Sequence, residues 1–160
     1  CKLIRGNVDS RIKKLNEGQY DALILSYAGV KYLELENNIS EIFSTNDIVP
    51  SAGQGIIALQ CREEDKEIIS ILEKINHDET YKRAHTERSI LKVLEGDCET
   101  AIGVYSTIEE NRIIVEAELF SLDGSQRFYE KKSSKIDNFQ ELGMEVGQTL
   151  KIKSNNSYKK

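Results

Sequence analysis

The sequence predicts an α/β chain that gives way to an α+β C-terminal domain, an antiparallel three-stranded sheet with helices packed on one face. Three features lead to that reading. Residues 20–26 (YDALILS) form a short apolar run between two helical patterns, the αβα rhythm of a parallel sheet. The only proline lies in Pro50-Ser51-Ala52-Gly53-Gln54-Gly55, directly ahead of a second apolar run, residues 56–61 (IIALQC). From 101 to 132 the pattern becomes an alternation broken by turn residues.

Taken in order, Val8, Ile12 and Leu15 recur at helical spacing, with Asn7, Asp9 or Ser10 available as a cap and Gly18 as a stop. Residues 20–26 read as a buried strand and 28–35 as the next helix. After the proline loop, which marks a crossover into another subdomain, 56–61 reads as a second buried strand. Two helices follow, at 66–75 and 80–94, with Asp78 the expected N-cap of the second and Gly96 its stop. Strands are expected near 102–107, 112–121 and 126–131, joined at Glu110-Asn111 and Asp123-Gly124. Phe139, Leu142, Met144, Val146 and Leu150 fall on a final helix that can cover one face of that sheet. Residues 151–160 read as a polar, frayed tail, and no internal repeat is visible.

A chain of 160 residues with 39% hydrophobic and 31% charged residues can bury a core. No run reaches the roughly 18 apolar residues of a membrane span, and CKLIRGNVDS lacks the order of a signal peptide. A cytosolic protein that engages no membrane is therefore expected. The net charge of −5 argues against a nucleic-acid surface and leaves room for a small anionic ligand held by local arginines. Cys1, Cys61 and Cys98 are scattered, and His77 and His85 have no ligand-spaced cysteine near them, so neither a disulfide framework nor a metal site is expected. The chain opens on Cys1 immediately before a patterned helix, which suggests that it continues a longer protein.

Cys98 falls between a helix end and a strand start, where side chains are commonly reachable. Glu95, Asp97 and Glu99, with the negative end of the preceding helix, should raise its thiol pKa, a poor setting for a redox or protease nucleophile. A permanent thioether anchor, formed once with a reactive carbon electrophile, tolerates that setting. Around it runs an ordered series: Arg5-Gly6-Asn7-Val8-Asp9-Ser10-Arg11, Gly18-Gln19-Tyr20-Asp21-Ala22-Leu23-Ile24-Leu25, Ala28-Gly29-Val30-Lys31, Pro50-Ser51-Ala52-Gly53-Gln54-Gly55, Cys61-Arg62, Thr86-Glu87-Arg88 and Leu94-Glu95-Gly96-Asp97-Cys98. In order and spacing these strings resemble the hydroxymethylbilane synthases (porphobilinogen deaminases), over roughly residues 1–150 and without the family's N-terminal domain.

The resemblance implies a partial periplasmic-binding-protein-like α/β domain followed by the α+β domain. Residues 1–49 would be the rear of domain 2, 50–73 the return into domain 1, 74–152 the cofactor-attachment domain and 153–160 a polar tail. It implies that Cys98 carries a dipyrromethane cofactor on which four porphobilinogen molecules are joined with release of ammonia, in haem and other tetrapyrrole biosynthesis. Ser26, Gly29, Gln54 and Gly55 would contact cofactor, while Arg5 and Arg11 would read the acetate and propionate groups of the substrate chain. Arg62 and Arg88 are expected to tie subdomains together through acidic partners. The chain departs from the family at Tyr32, where an arginine is usual, and at Asp97 and Glu99, where the family commonly reads Gly-Gly-Cys-Gln. Because the family's catalytic aspartate lies in the absent N-terminal part, no catalytic residue is assigned here. The 160-residue chain alone is expected to be inactive, with Cys98 a free thiol. The competing readings are a non-enzymatic α/β ligand-binding or interaction module sharing the fold, and a thiol redox protein.

Overall fold

The computed structural model describes residues 2–95 and 100–159, and the chain divides into two compact units, Cys1–Ser44 and Thr45–Lys160. In the first unit, helix α1 (Val8–Asn16) starts after Asn7, which is extended and offers no side-chain cap; instead the Ser10 hydroxyl donates to the Asn7 carbonyl at 2.8 Å. Gly18, at φ +74°, ends it as the sequence predicts: the amides of Gly18 and Gln19 donate to the carbonyls of Leu15 and Lys14. Helix α2 (Tyr27–Tyr32) is shorter than predicted, and Glu34 follows in the left-handed region at φ 56°. Ile12 and Val30 are buried. A Cβ on Gly29 would stand 3.4 Å from Val8 Cγ2, so α1 and α2 approach closely there.

The strand expected at 20–26 does not form. The segment runs without ladder pairing and Ile24 is 73% exposed. The stretch 56–61 behaves in the same way, with Ile57 at 90% and Leu59 at 60% exposure. Both runs have the composition of buried parallel strands, but a strand exists only against a neighbour, and none lies beside them among the described residues.

The second unit is built on helix α3 (Lys66–Ile75), helix α4 (Asp78–Leu94), strands β1 (Ile102–Glu109), β2 (Arg112–Phe120) and β3 (Arg127–Lys135), and helix α5 (Phe139–Ser154). The sheet is the expected meander, order β1-β2-β3, with both pairs antiparallel. Its register places Val104 opposite Ala117, Ser106 opposite Val115 and Ile108 opposite Ile113, so alternate residues share the face that meets α4 and α5. That face joins Ile90 and Leu94 of α4 and Leu142, Val146 and Leu150 of α5 in one core. Each such side chain contributes about 1.5–3 kcal/mol on burial. On the same face of β3, Glu130 and Lys132 form ion pairs with Lys153 and Glu145 of α5.

Helices α4 and α5 come together at glycines. A Cβ on Gly143 would overlap the Thr86 carbonyl oxygen, and one on Gly147 would stand 2.9 Å from Val93 Cβ. Three expectations fail against this packing. Met144 is 48% exposed and lies off the buried stripe. The N-cap of α4 is His77, whose Nδ1 accepts from the Thr80 amide at 3.3 Å, while Asp78 enters the helix and pairs with Lys82. The tail does not fray: Tyr158 is 1% exposed and donates its hydroxyl proton to the Leu94 carbonyl at 2.8 Å, and the Leu122 amide donates to the Ser157 carbonyl. By contrast α3 buries none of its residues, leaving Ile71 and Ile75 at 49% and 64% exposure.

Candidate cofactor and substrate site

Cys98, with Gly96, Asp97 and Glu99, lies outside the described residues, so its site is read from the two ends that hold it. On one side α4 closes at Glu95, in the left-handed region at φ 52°. Its carboxylate accepts from Lys151 at 3.1 Å and Lys159 at 3.4 Å, and these hydrogen bonds hold its pKa below the ordinary glutamate value. Lys151 also donates to the Val93 carbonyl, so the helix's negative end meets a cation. Of the acidic groups expected to surround the thiol, Glu95 is thus neutralised by lysines from α5 and the tail. On the other side β1 begins at Ile102.

The proline loop runs along the outer edge of β1. The Val104 amide donates to the Pro50 carbonyl at 2.7 Å, and a Cβ on Gly103 would overlap the Val49 carbonyl. Gly53 and Gly55 take φ of +77° and +73°, with nothing within 4 Å of where a Cβ would stand, and Gln54 between them is exposed. Such an open glycine turn leaves its backbone accessible to a ligand, which is compatible with the expected cofactor contact.

The loop is fastened by Glu87, which is 3% exposed. One carboxylate oxygen accepts from the Gly53 amide at 2.7 Å. The other accepts from the Ser106 amide at 3.0 Å and the Ser106 hydroxyl at 2.6 Å. Sequence pattern assigns Glu87 no role and points to arginines for the tie between subdomains. Arg62 instead makes a local pair with Asp65 at 3.6 Å, and Arg88 is exposed with no ion pair among the described residues. The signal available in the sequence was Glu87's spacing: it shares a helical stripe with Ile90 and Leu94, where a charge needs a dedicated partner.

The remaining site residues lie in the first unit. Arg5 and Arg11 flank the turn into α1; Arg11 Nε donates to the Gly6 carbonyl at 2.6 Å, and the Arg5 carbonyl accepts from Lys14. Ser26 precedes α2 without capping it, and Gly29 lies within α2. Tyr32 ends α2 at 87% exposure. The two units therefore each hold part of the expected set: arginines, Ser26 and Gly29 in one, Gln54 and Gly55 in the other.

An open groove of about 520 Å³ in the second unit is lined by Asp47, Val49, Ala101, Gly103, Glu118 and Arg127, among others. It is a poor seat for a polycarboxylate, because Arg127 is already paired with Glu118 at 2.7 Å and Asp47 adds a further acid. His77 is spent on capping α4, and His85 packs against Tyr81 with ring centroids 4.1 Å apart.

The chain thus has two compact units, the second an α+β domain with helices on one face of a three-stranded antiparallel meander. It matches the family model "Porphobilinogen deaminase, dipyromethane cofactor binding domain" over residues 1–70 and "Porphobilinogen deaminase, C-terminal domain" over 81–152. The chain belongs to the porphobilinogen deaminase family. Among curated relatives it is 38% identical to the porphobilinogen deaminase of Desulforamulus reducens, over 92% of this chain and 48% of that protein. It is 38% identical to the one from Blochmanniella pennsylvanica, over 94% and 50%, and 39% identical to the one from Staphylococcus epidermidis, over 94% and 49%. The chain thus spans about half the length of the curated relatives it matches.

Proposed function

We propose that this chain is the C-terminal half of a hydroxymethylbilane synthase of haem and tetrapyrrole biosynthesis. The observation that carries the reading is the match to two domain models of one family in chain order, over 1–70 and 81–152, with Cys98 inside the second. The full-length enzyme joins four porphobilinogen molecules head to tail. Each condensation forms one carbon–carbon bond and expels one ammonia, and water releases the finished hydroxymethylbilane. Cys98 would hold the dipyrromethane primer through a thioether, and the primer would supply the end on which the chain grows.

In this reading Arg5 and Arg11 bind acetate and propionate groups, with Arg11 steered by its bond to the Gly6 carbonyl. Ser26 and Gly29, with the Gly53–Gly55 turn and Gln54, contact the cofactor. The domain boundaries are those of the family, with 1–49 the rear of domain 2, 50–73 the return to domain 1 and 74–152 the attachment domain. The missing N-terminal half is the partner that covers 20–26, 56–61 and the apolar side of α3. What supports this is their exposure, including Ile24 at 73% and Ile57 at 90%, in segments with the composition of buried elements. The compartment proposed for the enzyme is the cytoplasm. No helix among the described residues is long and apolar enough to cross a membrane.

Ammonia release from porphobilinogen tests the proposal. The full-length protein is expected to release it, a Cys98→Ala version to release none, and the 160-residue chain alone to be inert because the catalytic carboxylate lies in the other half. A folded full-length protein that consumes no porphobilinogen would leave a ligand-binding module that shares the fold.

A further inference from the structure

We infer that Glu87 is a positioning residue: its buried carboxylate clamps the Gln54-bearing loop to the edge of β1, fixing the cofactor-contacting turn relative to the strand that leaves the tether. The inference deepens the proposed function and rests on it for the role of the turn, though not for the clamp itself.

The physical case begins with the sheet. Strand β1 is an edge, so its outward amides need partners from elsewhere. Val104 finds the Pro50 carbonyl and Ser106 finds Glu87, so the proline loop and one carboxylate together cover that edge. Glu87 does this from α4, which also leads into the tether segment. Helix, loop and strand therefore meet on a single side chain, and all three of its partners, the Gly53 amide, the Ser106 amide and the Ser106 hydroxyl, can donate. Within the loop the Gln54 amide donates to the Ser51 carbonyl at 3.3 Å, and the bond at Gly53 ties that two-glycine turn to α4.

Glu87→Gln separates the clamp from bulk and packing, because the amide has nearly the same shape. Its oxygen can keep the two Ser106 donors, which turns its NH2 toward the Gly53 N–H, donor against donor. In the 160-residue chain, amide exchange at Gly53 and Gln54 is expected to quicken at least tenfold in this variant. The Ser106 amide and the core amides of α4 and α5 should keep their wild-type rates. Ser106→Ala, which leaves the Gly53 bond in place, should not quicken Gly53. Unchanged exchange at Gly53 in Glu87→Gln would overturn the clamp.

In the full-length protein the same variant is expected to keep the dipyrromethane mass on Cys98 and the KM for porphobilinogen, and to lose about tenfold or more in kcat. An unchanged kcat would overturn the positioning role. If wild-type Cys98 carries no added mass, the proposed function fails instead, and the exchange result still stands as a test of the clamp.

Discussion

Tyr158 shows how much a single side chain decides. It sits in a segment of Lys, Asn and Ser that reads as solvated tail, yet its ring is 1% exposed and its hydroxyl satisfies the Leu94 carbonyl at the end of α4. Removing that hydroxyl in Tyr158→Phe takes away the donor that the Leu94 carbonyl finds in the tail and is expected to cost about 1–3 kcal/mol in chemical denaturation. A cost below about 0.3 kcal/mol would mean that water reaches the carbonyl. Glu87 and Tyr158 share a lesson about legibility. Each breaks its local pattern, a charge on an apolar stripe and an aromatic in a polar tail, and in each case the partner lies far along the chain. Periodicity can mark such residues as odd, but it does not name what they touch. Cys98 and the Gly53–Gly55 turn were legible for another reason: the proline and glycines mark the turn as a loop, but the roles expected of both come from strings whose order resembles a known family.

Elements held by local pattern formed as expected. The meander follows from alternation with turn residues at the right spacing, and α1, α3, α4 and α5 follow from apolar spacing with a start or stop signal. The β2–β3 turn makes the local chemistry testable. Asp123 accepts from the hydroxyls of Ser121 and Ser125 and from the Ser125 amide, which lower its pKa from 3.8 to about 2. A folded-state pKa below the unfolded value means that the turn's contribution is present above about pH 4 and fades as pH falls toward 2. Asp123→Asn should therefore be less stable than wild type at neutral pH, with the gap closing between pH 4 and 2; a gap independent of pH would contradict this. The α4–α5 contact offers a second test. Gly147→Ala places a methyl group 2.9 Å from Val93 Cβ and is expected to destabilise by about 1–3 kcal/mol, despite alanine's better helix propensity. A gain in thermal stability would show that the helices can move apart there.

For the whole molecule, the failed strands are the most informative departure. Residues 20–26 and 56–61 look like strands because they are apolar and bounded by turn signals, but pairing is a property of two segments, and no second segment is present for either among the described residues. Hydrogen exchange should divide the chain accordingly, with amides at 56–61 exchanging near the unprotected rate while those of Ile113, Val115 and Ala117 are slow. Joined to the family's N-terminal half, the same 56–61 amides are expected to become protected. Continued fast exchange in the full-length protein would argue against the proposed return of this segment into another domain.

The central claim is that Cys98 tethers the primer, and intact mass with peptide mapping of the full-length protein tests it most directly, with Cys98→Ala prepared in parallel. The account predicts an added mass the size of a dipyrromethane on the peptide containing Cys98, absent from the variant. An unmodified Cys98 in a folded full-length protein would contradict it.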